Sequence, residues 1–143
     1  MKVSVKRISP DAKLPKLEHV GDAGFDLYST QDETLKPLER KLIGTGISMS
    51  IEHGYEAQIR PKSGLAIEHG ITMLNTPGTI DAGYRGEVKV IVINLGQKEY
   101  RIEKGKKICQ VVFNKVEHPE ISEVEELETS SRGKGGFGST GLK

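Results

Sequence analysis

The stretch from Asn75 to Gly86 reads Asn-Thr-Pro-Gly-Thr-Ile-Asp-Ala-Gly-Tyr-Arg-Gly and carries the densest chemistry of the chain. Pro77, Gly78, Gly83 and Gly86 mark it as a turn-rich loop, and it opens into the apolar run Val88 to Ile93. A loop held by a rigid strand is a good place to fix a reactive group. It offers one carboxylate, Asp81, an aromatic ring three residues on, Tyr84, and a run of backbone amides around Gly78. That set suits a flat, hydrogen-bonding ligand beside a base that activates water. Taken singly, Asp81 reads sooner as a turn cap and Tyr84 sooner as a core ring.

Further polar groups recur along the chain. Asp22 and Asp26 stand four residues apart around Gly24. On a strand both lie on one face, either as a solvated strand end or as an acid near a hydrated metal. Mg²⁺ favours oxygen ligands and keeps several waters, so one carboxylate plus substrate phosphates suffices to hold it. Arg60-Pro61-Lys62-Ser63-Gly64-Leu65-Ala66 places a cation, a hydroxyl and a glycine where a short helix begins. Free amides at a helix start favour anions; an ordinary capped helix with exposed bases explains the segment equally well. Gln110 sits in an apolar stretch and means little alone.

The end of the chain changes character. After the acidic run Glu123 to Glu128 it becomes rich in Gly, Ser and Thr, with one arginine, Arg132, and one ring, Phe137. Such a segment does not hold a fixed backbone unaided. A floppy terminus accounts for it, yet its arginine, ring, hydroxyls and amides also suit folding over a phosphorylated ligand that carries a ring. Gly136 to Gly141 matches G-x-G-x-x-G. We reject the dinucleotide-fold reading because no helix or downstream acid can follow before the chain ends. Glycine amides can still curl into an anion nest.

The elements that must hold these groups are short. Val3 and Val5 alternate with polar residues, as do Ile47, Met49 and Ile51, then Tyr55, Ala57 and Ile59. Glu87 to Asn94 and Ile108 to Phe113 read as further strands. Many short strands between turns predict an all-β sandwich or barrel. One stretch, Ser63 to His69, reads as a helix of about two turns with Ser63 as its candidate cap, although the capping box is incomplete. At 143 residues the chain suits one domain. Only 5% of it is aromatic, so its core is expected to be completed across a subunit interface.

The net charge of +1 argues against a nucleic-acid or membrane-surface binder, which needs a concentrated basic face. Cys109 is the only cysteine, so no intrachain disulfide can form. The four histidines show no metal-ligand spacing. With no apolar run of membrane length and no signal peptide, a soluble, reducing, cytoplasmic setting is expected.

Five segments in order, Asp22–Ser29, Arg60–Ala66, Asn75–Asn94, Gly105–Gln110 and Arg132–Gly141, resemble the five motifs of the trimeric dUTP pyrophosphatase (dUTPase) family. The resemblance implies a jelly-roll-like β-barrel or sandwich with one short helix and a flexible C-terminal arm. It implies a homotrimer with three active sites at subunit interfaces. Residues 1–127 would form the β domain and 128–143 the arm. The implied reaction is Mg²⁺-assisted hydrolysis of dUTP to dUMP and pyrophosphate, clearing dUTP and supplying dUMP for thymidylate synthesis.

Carried over by position, the resemblance makes Asp81 the base that orients and deprotonates the attacking water. Asn75 and the backbone of Gly78, Thr79 and Ile80 would read uracil, and Tyr84 would pack on the deoxyribose and exclude a 2′-hydroxyl. Lys89 would make a further contact to the nucleotide. Lys62, Ser63, Gly64 and Gln110 would hold phosphate oxygens, with Lys62 standing where the commonest pattern has arginine. That lysine keeps the charge and loses the bidentate fork. Asp26 would hold Mg²⁺ through water. Arg132 would reach the γ-phosphate, Phe137 would stack over uracil, and Gly138, Ser139 and Thr140 would close on the substrate.

Two rival readings remain at the level of sequence. A dCTP deaminase shares the fold and a similar loop, but uses a glutamate ten residues after the loop aspartate, where this chain has Ile91. A silent binding module on the same fold is the other; Asp81 and a complete tail argue against it.

Overall fold

The computed structural model describes residues 1–142; Lys143, the end of the expected arm, lies outside the described residues. Eleven strands and one helix follow the chain: β1 (Val3–Arg7), β2 (Phe25–Tyr28), β3 (Glu33–Leu35), β4 (Arg40–Gly44), β5 (Ile47–Ile51), β6 (Tyr55–Arg60), α1 (Ser63–His69), β7 (Ile71–Met73), β8 (Gly78–Ile80), β9 (Lys89–Asn94), β10 (Tyr100–Ile102) and β11 (Lys107–Lys115). The alternating segments of the sequence became strands because one side of each faces the core. Ile47, Met49 and Ile51 of β5 are buried while Ser48 and Ser50 are only partly covered, and Ala57 and Ile59 of β6 repeat the pattern.

The strands pair antiparallel in four sheets, ordered β2-β11-β6-β8, β4-β9-β7, β1-β5 and β10-β3. One apolar cluster joins them, with Leu27, Leu35, Ile43, Ile47, Ile71, Val92 and Val111 at 1% exposure or less. Each such side chain contributes about 1.5–3 kcal/mol on burial. This is the jelly-roll arrangement expected from the sequence. The three-residue strands β3, β7, β8 and β10 are too short to show a period, so they had no sequence signal of their own.

Helix α1 corrects one expectation. Ser63 is its first residue rather than its cap; the extended Lys62 (φ −98°, ψ 130°) holds the cap position and makes no side-chain cap bond. The far end follows the usual stop: Gly70 adopts φ 69°, and its N–H donates to Ala66 O at 2.9 Å. A second correction concerns Asp22 and Asp26, which do not share a strand. Asp26 is in β2, whereas Asp22 sits in the preceding turn and accepts from the His19 N–H at 2.9 Å. Gly21 and Gly24 end the extended run before the strand begins.

Beyond β11 the chain leaves the sheets. Val116 N–H donates to Gly54 O at 2.9 Å. Among the described residues after it, every hydrogen bond is internal to the tail, such as Gly135 N–H to Arg132 O at 3.1 Å and Arg132 Nε to Gly135 O at 2.9 Å.

Candidate active site

Two cavities take up most of the candidate residues. The first, of about 330 Å³, opens beside β8 and the loop that follows it. Strand β8 docks on β6 with Gly78 opposite Ile59, which fixes the start of the loop against the four-stranded sheet. A Cβ on Gly78 would stand 3.4 Å from Ile59 and 3.5 Å from the Asn75 amide, so the Asn75 side chain and the Gly78 backbone lie together. The Thr76–Pro77 peptide between them is cis. Asn75, Gly78, Thr79, Ile80, Asp81, Tyr84 and Lys89 all line this cavity.

Its polar groups sit on an apolar floor of Leu42, Ile59, Met73, Val88, Val90 and Ile91. Asp81 follows the last residue of β8 and accepts the Tyr84 N–H on its backbone oxygen at 3.0 Å, closing a turn. The Tyr84 hydroxyl donates to Glu87 O at 2.9 Å, and its ring lies over Gly86, where any side chain would collide with it. Tyr84 is 46% exposed, so it is a rim group and no part of the core. Ile91, at the position where a deaminase needs its glutamate, is an aliphatic wall with no proton to transfer.

The second cavity, of about 350 Å³, is polar and contains Asp26, Lys62, Ser63, Gly64 and Gln110. Asp26 and Gln110 are direct cross-strand partners, so their side chains stand side by side on one face. Gln110 lies over Gly24, where a Cβ would strike its amide, and its Nε2 donates to Pro61 O at 3.1 Å. The Ser63 and Gly64 amides are in the first helical turn, where N–H groups have no intrahelical acceptor.

Asp26 is 4% exposed and doubly paired. Lys62 Nζ donates to Oδ1, and Lys107 Nζ lies 2.8 Å from Oδ2 while also reaching Glu18 Oε1 at 3.0 Å. Burial opposes the charged carboxylate, but hydrogen bonds from Lys107 and Lys62 outweigh it and hold Asp26 below the ordinary aspartate range. The same bonds, with Asp26 first and Glu18 second, raise Lys107. Among the described residues no group of three or more His, Cys, Asp or Glu converges on a metal position. The nearly buried carboxylate of this cavity, Asp26, is an oxygen donor of the kind a hard cation takes.

Lys107 and Glu18 were not singled out from the sequence. Lys107 stands three residues before Gln110, and a strict two-residue period would put them on opposite faces. A bulge between Lys107 and Cys109 shifts the register and brings both to one cavity. Glu87 was missed for a different reason, because its contacts reach a distant turn. The tail residues Arg132, Phe137, Gly138, Ser139 and Thr140 line neither cavity, and Phe137 is fully exposed.

A family model described as dUTPase matches residues 10–141. Deoxyuridine 5′-triphosphate nucleotidohydrolase of Clostridium kluyveri is 56% identical over 141 residues, covering 99% of each chain. That of Nautilia profundicola is 55% identical over the same length, again covering 99% of each. Among solved structures, the Staphylococcus bacteriophage 80alpha dUTPase with dUPNHPP superposes with a TM-score of 0.92 at 31% identity, covering 99% of both chains. A mutant dUTPase from phage phi11 of S. aureus, solved with attention to a structural Mg(II) ion, gives 0.83 at 26% identity. That match covers 90% of this chain and 100% of the phage chain.

Proposed function

Because this chain belongs to the dUTPase family and hydrolyses dUTP to dUMP and pyrophosphate, we propose that Asp81 is its catalytic base and the two cavities are its nucleoside and phosphate sites. The observation that carries this reading is the first cavity itself. Two carboxylates line it: Glu87 is paired with Lys89, and Asp81, in no ion pair among the described residues, stands beside the Asn75 amide, the Gly78–Ile80 backbone and the Tyr84 ring.

The uracil edge pairs with the Asn75 amide and the backbone of Gly78, Thr79 and Ile80. A 5-methyl group on the base would be excluded by this loop. Tyr84 packs on the deoxyribose and meets a 2′-hydroxyl with a clash. Lys89 contributes a positive charge on the same wall. Asp81 orients a water in line with the α-phosphorus and takes its proton. An ionised aspartate is a weak base, so most of its effect is positioning.

In the second cavity Lys62, the Ser63 hydroxyl, the Ser63 and Gly64 amides and the Gln110 amide donate to phosphate oxygens. Asp26 is the residue that would hold Mg²⁺, through water. When bound, the ion would supply positive charge against the phosphates. For that role the Lys62 ammonium leaves Asp26 and turns to phosphate, while Lys107 keeps the carboxylate ionised.

The two cavities share no lining residue. In the homotrimer implied by the family motifs, the first cavity of one subunit would meet the second cavity of another, and the Arg132–Thr140 segment would close over them. Arg132 then reaches the γ-phosphate, Phe137 stacks on uracil, and Gly138, Ser139 and Thr140 cover the phosphates. Closure excludes water and strengthens each charge contact. We assign the enzyme to the cytoplasm, where a free nucleotide substrate is found; separately, no described helix is long and apolar enough to cross a membrane.

Pyrophosphate release with Mg²⁺ from dUTP, dTTP, UTP and dCTP, run side by side, tests the specificity half of this reading. Turnover of dUTP alone is expected. Comparable turnover of dTTP removes the uracil pocket from the account, and comparable turnover of UTP removes the Tyr84 gate.

A further inference from the structure

Glu87 lines the first cavity beside Tyr84 and Lys89, and three contacts converge on it. Its backbone oxygen accepts the Tyr84 hydroxyl at 2.9 Å. Its Oε1 accepts the Gly46 N–H at 3.0 Å. Its Oε2 lies 3.5 Å from Lys89 Nζ. The side chain is 24% exposed, so these contacts are partly shielded from water.

The far anchor is rigid. Gly46 lies in the turn joining β4 to β5, with φ 68°, and a Cβ there would press on Thr30, Ala12 and Ser9. A Cβ on neighbouring Gly44 would stand 2.7 Å from Glu87 Oε1, so the carboxylate occupies space that a side chain would need. Next to it, Thr45 Oγ1 donates to Val88 O at 2.5 Å and Val88 N–H donates to Ile47 O at 2.8 Å. The turn thus grips residues 87 and 88 from both backbone and side chain.

We propose that Glu87 is a positioning residue for sugar selectivity: its carboxylate ties the Tyr84 loop to the β4–β5 turn and so fixes the carbonyl that holds the Tyr84 hydroxyl. The inference rests on the reading of Tyr84 as the gate against a 2′-hydroxyl. A ring that excludes one oxygen must be held to within a fraction of an ångström. One hydroxyl bond to a loop carbonyl does so only when the loop itself is tied down. The ion pair with Lys89 adds little, because surface pairs contribute weakly; the Gly46 bond is the strut.

The test measures kcat and KM for dUTP and UTP with E87A, E87Q, Y84F and Y84A at saturating Mg²⁺. E87A is expected to cut the dUTP preference over UTP by about tenfold, mainly through a lower KM for UTP with the constants for dUTP little changed. E87Q keeps an acceptor oxygen for Gly46 and should restore most of the preference. Y84F should match E87A, and E87A/Y84F should lose little more than either alone, since both break one chain of contacts. Should E87A not fold, E87D keeps the charge but is too short for Gly46 and is read in its place. An unchanged dUTP/UTP ratio in E87A, with Y84A altering it, overturns the role of Glu87. An unchanged ratio in Y84A as well overturns the Tyr84 gate on which it rests.

Discussion

Asp26 holds two lysines on a carboxylate that is nearly buried, and that arrangement has consequences for stability. Its folded pKa lies below the ordinary value, so its stabilisation is present above the unfolded value near ~4 and is lost as pH falls through the lower folded value. Asp26→Asn should cost about 1–2 kcal/mol at pH 7. The figure is modest because Lys62 and Lys107 are 30% and 38% exposed and can return to water. Urea unfolding at pH 7 and pH 3 should show the gap between variant and parent narrowing at the lower pH. A second residue-scale prediction concerns Lys62. Lys62→Ala should raise KM for dUTP about tenfold, whereas Lys62→Arg, which restores a bidentate fork, should lower it or leave it unchanged. The chemistry of these positions was legible in sequence because charged and hydroxyl residues gather at glycines. The pairing of Asp26 with Lys107 was not, because it depends on a bulge that alternation does not announce.

At the scale of elements, the junction after α1 is a tightly built turn. Gly70 sits at φ 69°, and a Cβ there would stand 2.5 Å from the Gly96 backbone nitrogen. Gly70→Ala should therefore destabilise by about 2 kcal/mol or more, combining the left-handed conformation with a backbone collision; a lowered urea midpoint with the slope retained would show it. Strand β11 offers a different check. Cys109 is fully buried in it, and burial pushes the thiol up to about 12. It should resist alkylation at pH 8 in the native protein and react at once in urea, since the thiolate is the nucleophile. Helix α1 and strands β1, β5, β6, β9 and β11 were readable from period and turn residues, whereas β4, as long as β1, was not. Strands of three residues were not, because their formation is decided by partners such as Ile59 opposite Gly78 rather than by their own composition.

The whole molecule pairs a sheet-built body with a tail that bonds only to itself among the described residues. Truncation before Arg132 should leave the body folded and lower turnover by ~10²-fold, because positioning and water exclusion are lost while Asp81 remains. A truncated enzyme with full turnover would remove the arm from the mechanism. Sedimentation of the full chain should show three subunits. The family and its reaction were legible from five ordered motifs; how two cavities and a tail come together was not, since a single sequence carries no contact between copies. The central claim is that Asp81 acts on water and contributes little to holding the nucleotide. Its most direct test is Asp81→Asn, measured for dUTP turnover and for binding of a non-hydrolysable dUTP analogue. A loss of turnover of at least ~100-fold with affinity changed by less than about threefold is the predicted result. Turnover that survives the substitution, or turnover and affinity lost together, would contradict the assignment.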